Sequence, residues 1–164
     1  MKMKASQVIL VMGVSGAGKT TIGKLLAERL GGVFLDADNL HSAANIHKMS
    51  RGELLNDGDR WPWLDAVAHA VQEHAEYSPL VLACSALKEA YRERLRLGQS
   101  PVVFLAGSRE TIEQRLESRP EHFMPSALLD SQLEILEEPN GAITVSITNA
   151  PDEIVDEIVR ILRQ

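Results

Sequence analysis

Gly13-Val14-Ser15-Gly16-Ala17-Gly18-Lys19-Thr20 fits the spacing G-x-x-x-x-G-K-[ST], the P-loop pattern. Gly13, Gly16 and Gly18 have no Cβ, so the backbone there can curl through positive φ and come close to a phosphate. Such a loop turns successive N–H groups inward as an anion nest, with Val14, Ser15 and Ala17 supplying main-chain donors between the glycines. Lys19 is expected to reach the β- and γ-phosphates of a nucleotide, and the Thr20 hydroxyl to ligate Mg2+. Thr21 opens a helix whose positive end adds to the field on the phosphates. Upstream, Gln7-Val8-Ile9-Leu10-Val11-Met12 is an apolar, β-branched run of strand length. Downstream, Ile22, Leu25, Leu26 and Leu30 stand at helical spacing. Strand, loop and helix are the setting the motif requires; a glycine-rich turn that binds nothing needs neither the Lys-Thr pair nor both flanks.

Four more apolar runs read as strands: Val33–Leu35, Leu80–Cys84, Val102–Leu105 and Ile143–Ile147. They are continuous rather than alternating, so they predict buried strands of a parallel sheet. Helical stretches fall between and after them, at Ser42–Gly52, Pro62–Glu76, Lys88–Leu97, Arg109–Ser118, Pro125–Leu136 and Asp152–Arg163. The last carries Ile154, Val155, Ile158, Val159 and Leu162 as one apolar stripe, a packing element. The expected fold is α/β: a three-layer sandwich around a five-stranded parallel sheet. No linker or repeat divides residues 1–164, so one domain is expected.

The 164 residues are 45% hydrophobic, enough for one core, and aromatics are so few that the core must be aliphatic. A net charge of −6 argues against sequence-independent nucleic-acid binding, which needs cations to neutralise phosphates. The single cysteine, Cys84, lies in an apolar run; it excludes an intrachain disulfide and reads as a buried, inert thiol. No apolar span of membrane length and no signal peptide is seen, which predicts a soluble cytoplasmic protein without a membrane partner.

In open α/β sheets ligands gather at the carboxyl ends of the strands. Beyond the P-loop, that directs attention to Asp36–His41, Ser85–Lys88 and Gly107-Ser108. Many P-loop motors and GTPases end a second apolar strand in a Mg2+-organising aspartate. Here Leu80–Cys84 runs into Ser85 without an acid, and no N-K-x-D guanine signature occurs. The acids follow Leu35 instead, as Asp36-Ala37-Asp38; if strand geometry persists, both carboxylates face the phosphates.

The blocks GVSGAGKT, FLDADNLH, NIHKM, LNDGDRWPWL, CSALKEAYR and RPEHFMP, in this order, resemble the gluconate kinase family over nearly the whole chain, up to about Leu136. The first block is shared by many families; the set is far more specific. Ser42 and Leu54 depart from the pattern, each standing where the family often has proline. The resemblance implies a nucleoside-monophosphate-kinase-like fold, transfer of the γ-phosphoryl of ATP to the 6-hydroxyl of D-gluconate, and a homodimer. It also implies a mobile lid around residues 115–135.

Roles follow for named side chains, each beside a plainer reading. A carboxylate accepts hydrogen bonds, so Asp38 can orient and deprotonate the acceptor hydroxyl; otherwise it caps a turn. Asp36 would hold Mg2+ directly or through water, or cap the strand end. The planar fork of an arginine suits the substrate carboxylate; Arg60 leads, with Lys88 and Arg92 behind it or merely solvated. Ser85, after the third strand, joins the substrate set. His41, Asn45 and Lys48, also in the substrate set, stand at spacings that a helix would align; His41 binds a substrate hydroxyl or is a neutral capping histidine. Trp61 and Trp63 either pack or wall the sugar site. In the lid, Arg119 is expected to touch the transferring phosphoryl group, with His122 nearby, and Arg115 to touch the nucleotide; the plainer reading of each arginine is a salt-bridged helix end.

Two other readings compete. A kinase for another hydroxy acid, such as shikimate, shares the paired aspartates. It should however carry a Gly-Gly-Gly stretch after the third strand, where Cys84-Ser85-Ala86-Leu87-Lys88 stands. A regulatory nucleotide-binding module should bind ATP without turnover stimulated by a small acid.

Overall fold

The computed structural model describes residues 7–118 and 126–164. Among these, five strands form one parallel sheet: β1 (Val8–Met12), β2 (Val33–Asp36), β3 (Leu80–Ala83), β4 (Val102–Ala106) and β5 (Ile143–Ser146). Their spatial order is β2-β3-β1-β4-β5, which puts β1 at the centre. The helices are α1 (Lys19–Leu30), α2 (Ala43–Ser50), α3 (Asp57–Ala75), α4 (Glu89–Arg94), α5 (Arg109–Glu117), α6 (Ser126–Ile135) and α7 (Pro151–Leu162).

Because side chains alternate along a strand, β1 feeds two cores. Ile9 and Val11 pack with Ile22, Leu26 and Leu30 of α1 and with Ile154, Val155, Ile158 and Val159 of α7. Val8, Leu10 and Met12 pack with Leu64, Val67 and Val71 of α3, with Tyr91 of α4 and with Leu95 just beyond it. The expected three-layer α/β sandwich is therefore what the chain forms. Full burial of every strand is not: β1 and β3 are buried throughout, but β2 and β5 are only partly covered. Each is an edge strand with one neighbour.

Three boundaries differ from the periodicity reading for local reasons. Helix α1 begins at Lys19, so Lys19 and Thr20 are already helical. Helix α3 begins at Asp57, not at Pro62. Asn56 caps it: its side chain accepts from the Asp59 N–H, and the Asp59 carboxylate accepts from the Asn56 N–H. Pro62 is carried inside the helix it was expected to open. The third difference is the chain after β2, which turns at once into a 3-10 helix over Ala37–Leu40.

Parallel register brings the functional ends together. Asp36 pairs with Ala83, Val11 pairs with both Ala83 and Val103, and Met12 pairs with Phe104. The P-loop after β1, Asp36 at the end of β2 and Ser85 beyond β3 thus share one edge of the sheet.

Candidate active site

The loop after β1 has the curl its glycines allow. Gly16 and Gly18 hold φ of +85° and +97°. At Gly16 a Cβ would also meet Leu116 Cγ at 2.9 Å, so packing and backbone both demand glycine there. Lys19 Nζ donates to the Gly13 and Val14 carbonyls at 3.0 and 3.1 Å, folding the ammonium over its own loop. Desolvation lowers its pKa, while the carboxylates of Asp38 and Asp36 draw it back up. The Ser15 N–H donates to Gln132 Oε1 of α6 at 2.8 Å, and Gln132 Nε2 donates to Ser15 Oγ at 3.1 Å.

The Thr20 hydroxyl donates to Asp36 Oδ2 at 3.0 Å. Asp36 Oδ1 accepts the Asp38 N–H at 3.0 Å and so caps the 3-10 turn. Strand geometry does not persist through Asp36-Ala37-Asp38; the turn, rather than a pleat, sets the two carboxylates. Asp36 therefore holds a cap and stands beside Thr20 at once. A hydroxyl and a carboxylate oxygen converging next to a phosphate-binding loop are hard donors of the kind Mg2+ takes, one or two from protein and the rest from phosphate and water. Among the described residues no group of three or more His, Cys, Asp or Glu could hold a metal alone.

Two cavities flank the P-loop. The first, about 310 Å³, is bordered by Ser15, Lys19, Asp38, His41, Arg60, Trp63, Ser85, Tyr91 and Gln132, with Met49, Glu53, Leu54 and Leu55 at one side. The second, about 200 Å³, is bordered by Gly18, Thr21, Arg115, Ser118, Asn149 and Pro151. Arg115 donates to the Ile147 carbonyl, which fixes it over that smaller space.

Of the expected substrate residues, Asp38, His41, Arg60 and Ser85 border the larger cavity; Asn45, Lys48, Lys88 and Arg92 do not. Asn45 and His41 meet at 3.3 Å, but not by the expected helical alignment: His41 lies in extended backbone ahead of Ser42, the cap of α2. Asn45 is buried, and its Nδ2 also donates to the Asp59 carbonyl at 3.0 Å. That carbonyl settles the amide's orientation, so His41 Nδ1 must accept and the neutral ring carries its proton on Nε2. His41 stacks on Trp63 at 4.1 Å, and its pKa is lowered by burial, against the opposing pull of the Asp38 carboxylate and with a smaller contribution from Arg60. Trp63 Nε1 donates to the Ala37 carbonyl at 2.8 Å, so this tryptophan both packs and walls the cavity. Trp61 instead meets Tyr91 edge-on.

Lys48 is paired with Asp59 at 2.7 Å, tying α2 to the start of α3. Arg92 donates to the carbonyls of Ala86, Leu87 and Glu137, fastening the loop after β3 to the segment after α6. Lys88 Nζ stands 3.8 Å from Asp57 Oδ2. Arg119 and His122 lie outside the described residues, as does part of the expected lid. Tyr91, Asp57 and Gln132 were not singled out from sequence. Tyr91 follows Lys88 by three positions in the CSALKEAYR block, a spacing that could have drawn attention to it. Nothing local marks Gln132, whose partner is 117 residues away.

Comparison with known proteins gives the family and the fold. The shikimate kinase family model matches residues 15–163. A gluconokinase of Gluconobacter oxydans is 45% identical, over 93% of this chain and 89% of its own. A thermosensitive gluconokinase of Escherichia coli is 46% identical, over 84% of this chain and 75% of its own. The crystal structure of a gluconokinase from Sinorhizobium meliloti superposes with a TM-score of 0.87 at 42% identity, covering 98% of this chain and 94% of the other.

Proposed function

Because this chain belongs to the gluconokinase family, we propose that it transfers the γ-phosphoryl group of ATP to the 6-hydroxyl of D-gluconate, giving 6-phosphogluconate. The observation that carries the reading is the P-loop standing between two cavities. The smaller, beside Gly18, Thr21 and Arg115, takes the nucleotide base; the larger, beside Asp38 and Arg60, takes the sugar acid. Action in the cytoplasm is part of the same proposal; among the described residues no helix is long and apolar enough to cross a membrane. A homodimer is part of the proposal and is checked by sedimentation.

Phosphoryl transfer asks the protein for position and charge rather than covalent chemistry. The P-loop N–H groups, with Lys19 turning from its own carbonyls, hold the β- and γ-phosphates. Thr20 and Asp36 would hold Mg2+, which neutralises charge on the phosphate oxygens when bound with ATP. Asp38 accepts the proton of the attacking hydroxyl. His41 offers Nε2–H to a substrate hydroxyl, Ser85 offers a hydroxyl, and Arg60 binds the carboxylate. Asn45, Lys48 and Arg92 act through their neighbours; Lys88 acts on the residues around Asp57. Arg119 is assigned to the transferring phosphoryl group on family resemblance alone.

The experiment is a coupled ADP-release assay with aldonic acids, neutral sugars and shikimate. Strong stimulation by gluconate and little by glucose or shikimate is expected. Equal stimulation by glucose would remove carboxylate recognition, and ATP binding without any turnover would favour the regulatory module.

A further inference from the structure

Arg60 and Tyr91 border the larger cavity, but the group that joins them does not. Asp57 Oδ1 accepts the Tyr91 hydroxyl proton at 2.5 Å and stands 3.3 Å from Arg60 Nη1. Arg60 Nη1 also donates to Tyr91 Oη at 3.0 Å. The three groups close a triangle. Lys88 faces the other oxygen of Asp57, and both Lys88 and Arg60 lie over the Tyr91 ring, at 5.6 and 5.4 Å from its centroid.

Counting protons in the triangle shows what is left for a ligand. One Nη1 proton points between Asp57 Oδ1 and Tyr91 Oη, which lie only 2.5 Å apart, and is shared by both. Tyr91 has one, and it is given to Asp57. The Nε and Nη2 protons of Arg60 have no partner among the described residues, and Tyr91 retains only accepting capacity. The local sequence explains the arrangement. Asp57 is the first residue of α3, where an anion meets the positive helix end, and Arg60 lies one turn further on the same face. The hydrogen bond from Tyr91 leads the causes that hold Asp57 below the usual carboxylate range. Burial, with help from Asp57, pushes Tyr91 up to about 12. Asp57 therefore stays the acceptor, and Tyr91 the donor, across the neutral range.

We propose that Asp57 is the positioning residue of substrate recognition: it locks Nη1 of Arg60 and the proton of Tyr91, leaving a fixed Nε–Nη2 fork for the substrate carboxylate and a lone pair on Tyr91 Oη for a neighbouring substrate hydroxyl. This rests on the reading that Arg60 meets the carboxylate of an aldonic acid. A locked fork loses less freedom on binding than a loose arginine, and an accepting tyrosine oxygen disfavours a second anionic group in its place.

The test compares gluconate with glucitol, its uncharged polyol counterpart, in steady-state kinetics of the intact enzyme. Asp57→Ala should raise the KM for gluconate at least fivefold. The KM for ATP should stay within twofold, and the preference in kcat/KM for gluconate over glucitol should fall. Asp57→Asn retains an accepting oxygen and should fall between wild type and Asp57→Ala. Tyr91→Phe keeps the packed ring and should shift KM in the same direction, so the test survives if Asp57→Ala folds poorly. Added to Arg60→Ala, Asp57→Ala should cost little more, because it acts through that side chain. A lower KM in Asp57→Ala would mean that the carboxylate only damps the charge of Arg60, and additive losses would mean that it acts elsewhere; either overturns the inference. If Arg60→Ala itself leaves the gluconate preference intact, the carboxylate reading falls and takes the inference with it. If Arg60→Ala abolishes the preference while Asp57→Ala does not touch it, the inference alone falls.

Discussion

Asp36 and Asp38 are two positions apart yet stand in different company. Asp36 accepts from Thr20 Oγ1 and from the Asp38 N–H, whereas Asp38 borders the larger cavity opposite Lys19. Asp38→Asn removes a proton acceptor without changing shape, so turnover with gluconate should fall at least tenfold, about 1.4 kcal/mol of barrier, while ATP binding survives. The defect of Asp36→Asn should instead ease as Mg2+ is raised at saturating ATP and gluconate. If metal rescues Asp38→Asn and not Asp36→Asn, the two roles are reversed. His41 gives a prediction of a different kind. Its folded pKa lies below the unfolded value of about 6.5, so between the two the unfolded chain binds more protons. Its contribution to stability is then complete above about pH 6.5 and is lost as pH falls through that window. Urea midpoints between pH 7.5 and 5.5 should drop less steeply in His41→Gln than in the wild type; equal slopes would exclude His41 as the source.

At the scale of elements, α6 reaches the P-loop through one amide. Gln132 holds the Ser15 N–H and hydroxyl, the same N–H a phosphate oxygen would seek. Nucleotide binding has to exchange that bond. A net hydrogen bond contributes about 0.5–1.5 kcal/mol, so Gln132→Ala should lower the KM for ATP by about two- to tenfold. A raised KM would show that Gln132 contacts the nucleotide rather than competing with it. Helices α2 and α3 are joined by a different device. Asp59 takes part in the α3 capping box, pairs with Lys48, and offers its carbonyl to Asn45. Helix α2 thus carries His41's partner and is itself anchored to the cap that sets Asp57 and Arg60. The two sides of the substrate cavity are built on one helix start.

Across the whole molecule, the thiol of Cys84 reports on opening. It lies 1% exposed just after β3, next to Ser85 of the larger cavity, and burial pushes its pKa up to about 12. Alkylation needs an exposed thiolate, so labelling of the native enzyme at pH 8 should be at least a hundredfold slower than in urea. ATP and gluconate together should slow it further, because both bind the folded state. Native labelling as fast as in urea would show that the sheet opens at its functional edge.

The layers and the phosphate site were legible in the chain. Apolar runs at strand length, a 3.6-residue stripe in α7 and the spacing of three glycines, a lysine and a threonine are local signals. Their physical causes, side-chain alternation, helical periodicity and φ freedom, act within a few residues. Quoted blocks also carried the family, and with it Asp38, His41, Arg60 and Ser85 at the cavity. What each remaining polar side chain faces is set by folding. Lys48, Arg92 and Lys88 look as suitable for a sugar acid as Arg60 does, but folding brings Asp59, three backbone carbonyls and Asp57 to them. Asp36 and Asp38 were expected on one pleated face, and a capped 3-10 turn parted their roles. Tyr91 and Gln132 reach the site from residues 34 and 117 positions away from their partners. A hydrogen bond is made to whatever the fold places within about 3 Å, and no local pattern encodes a partner that distant in the chain.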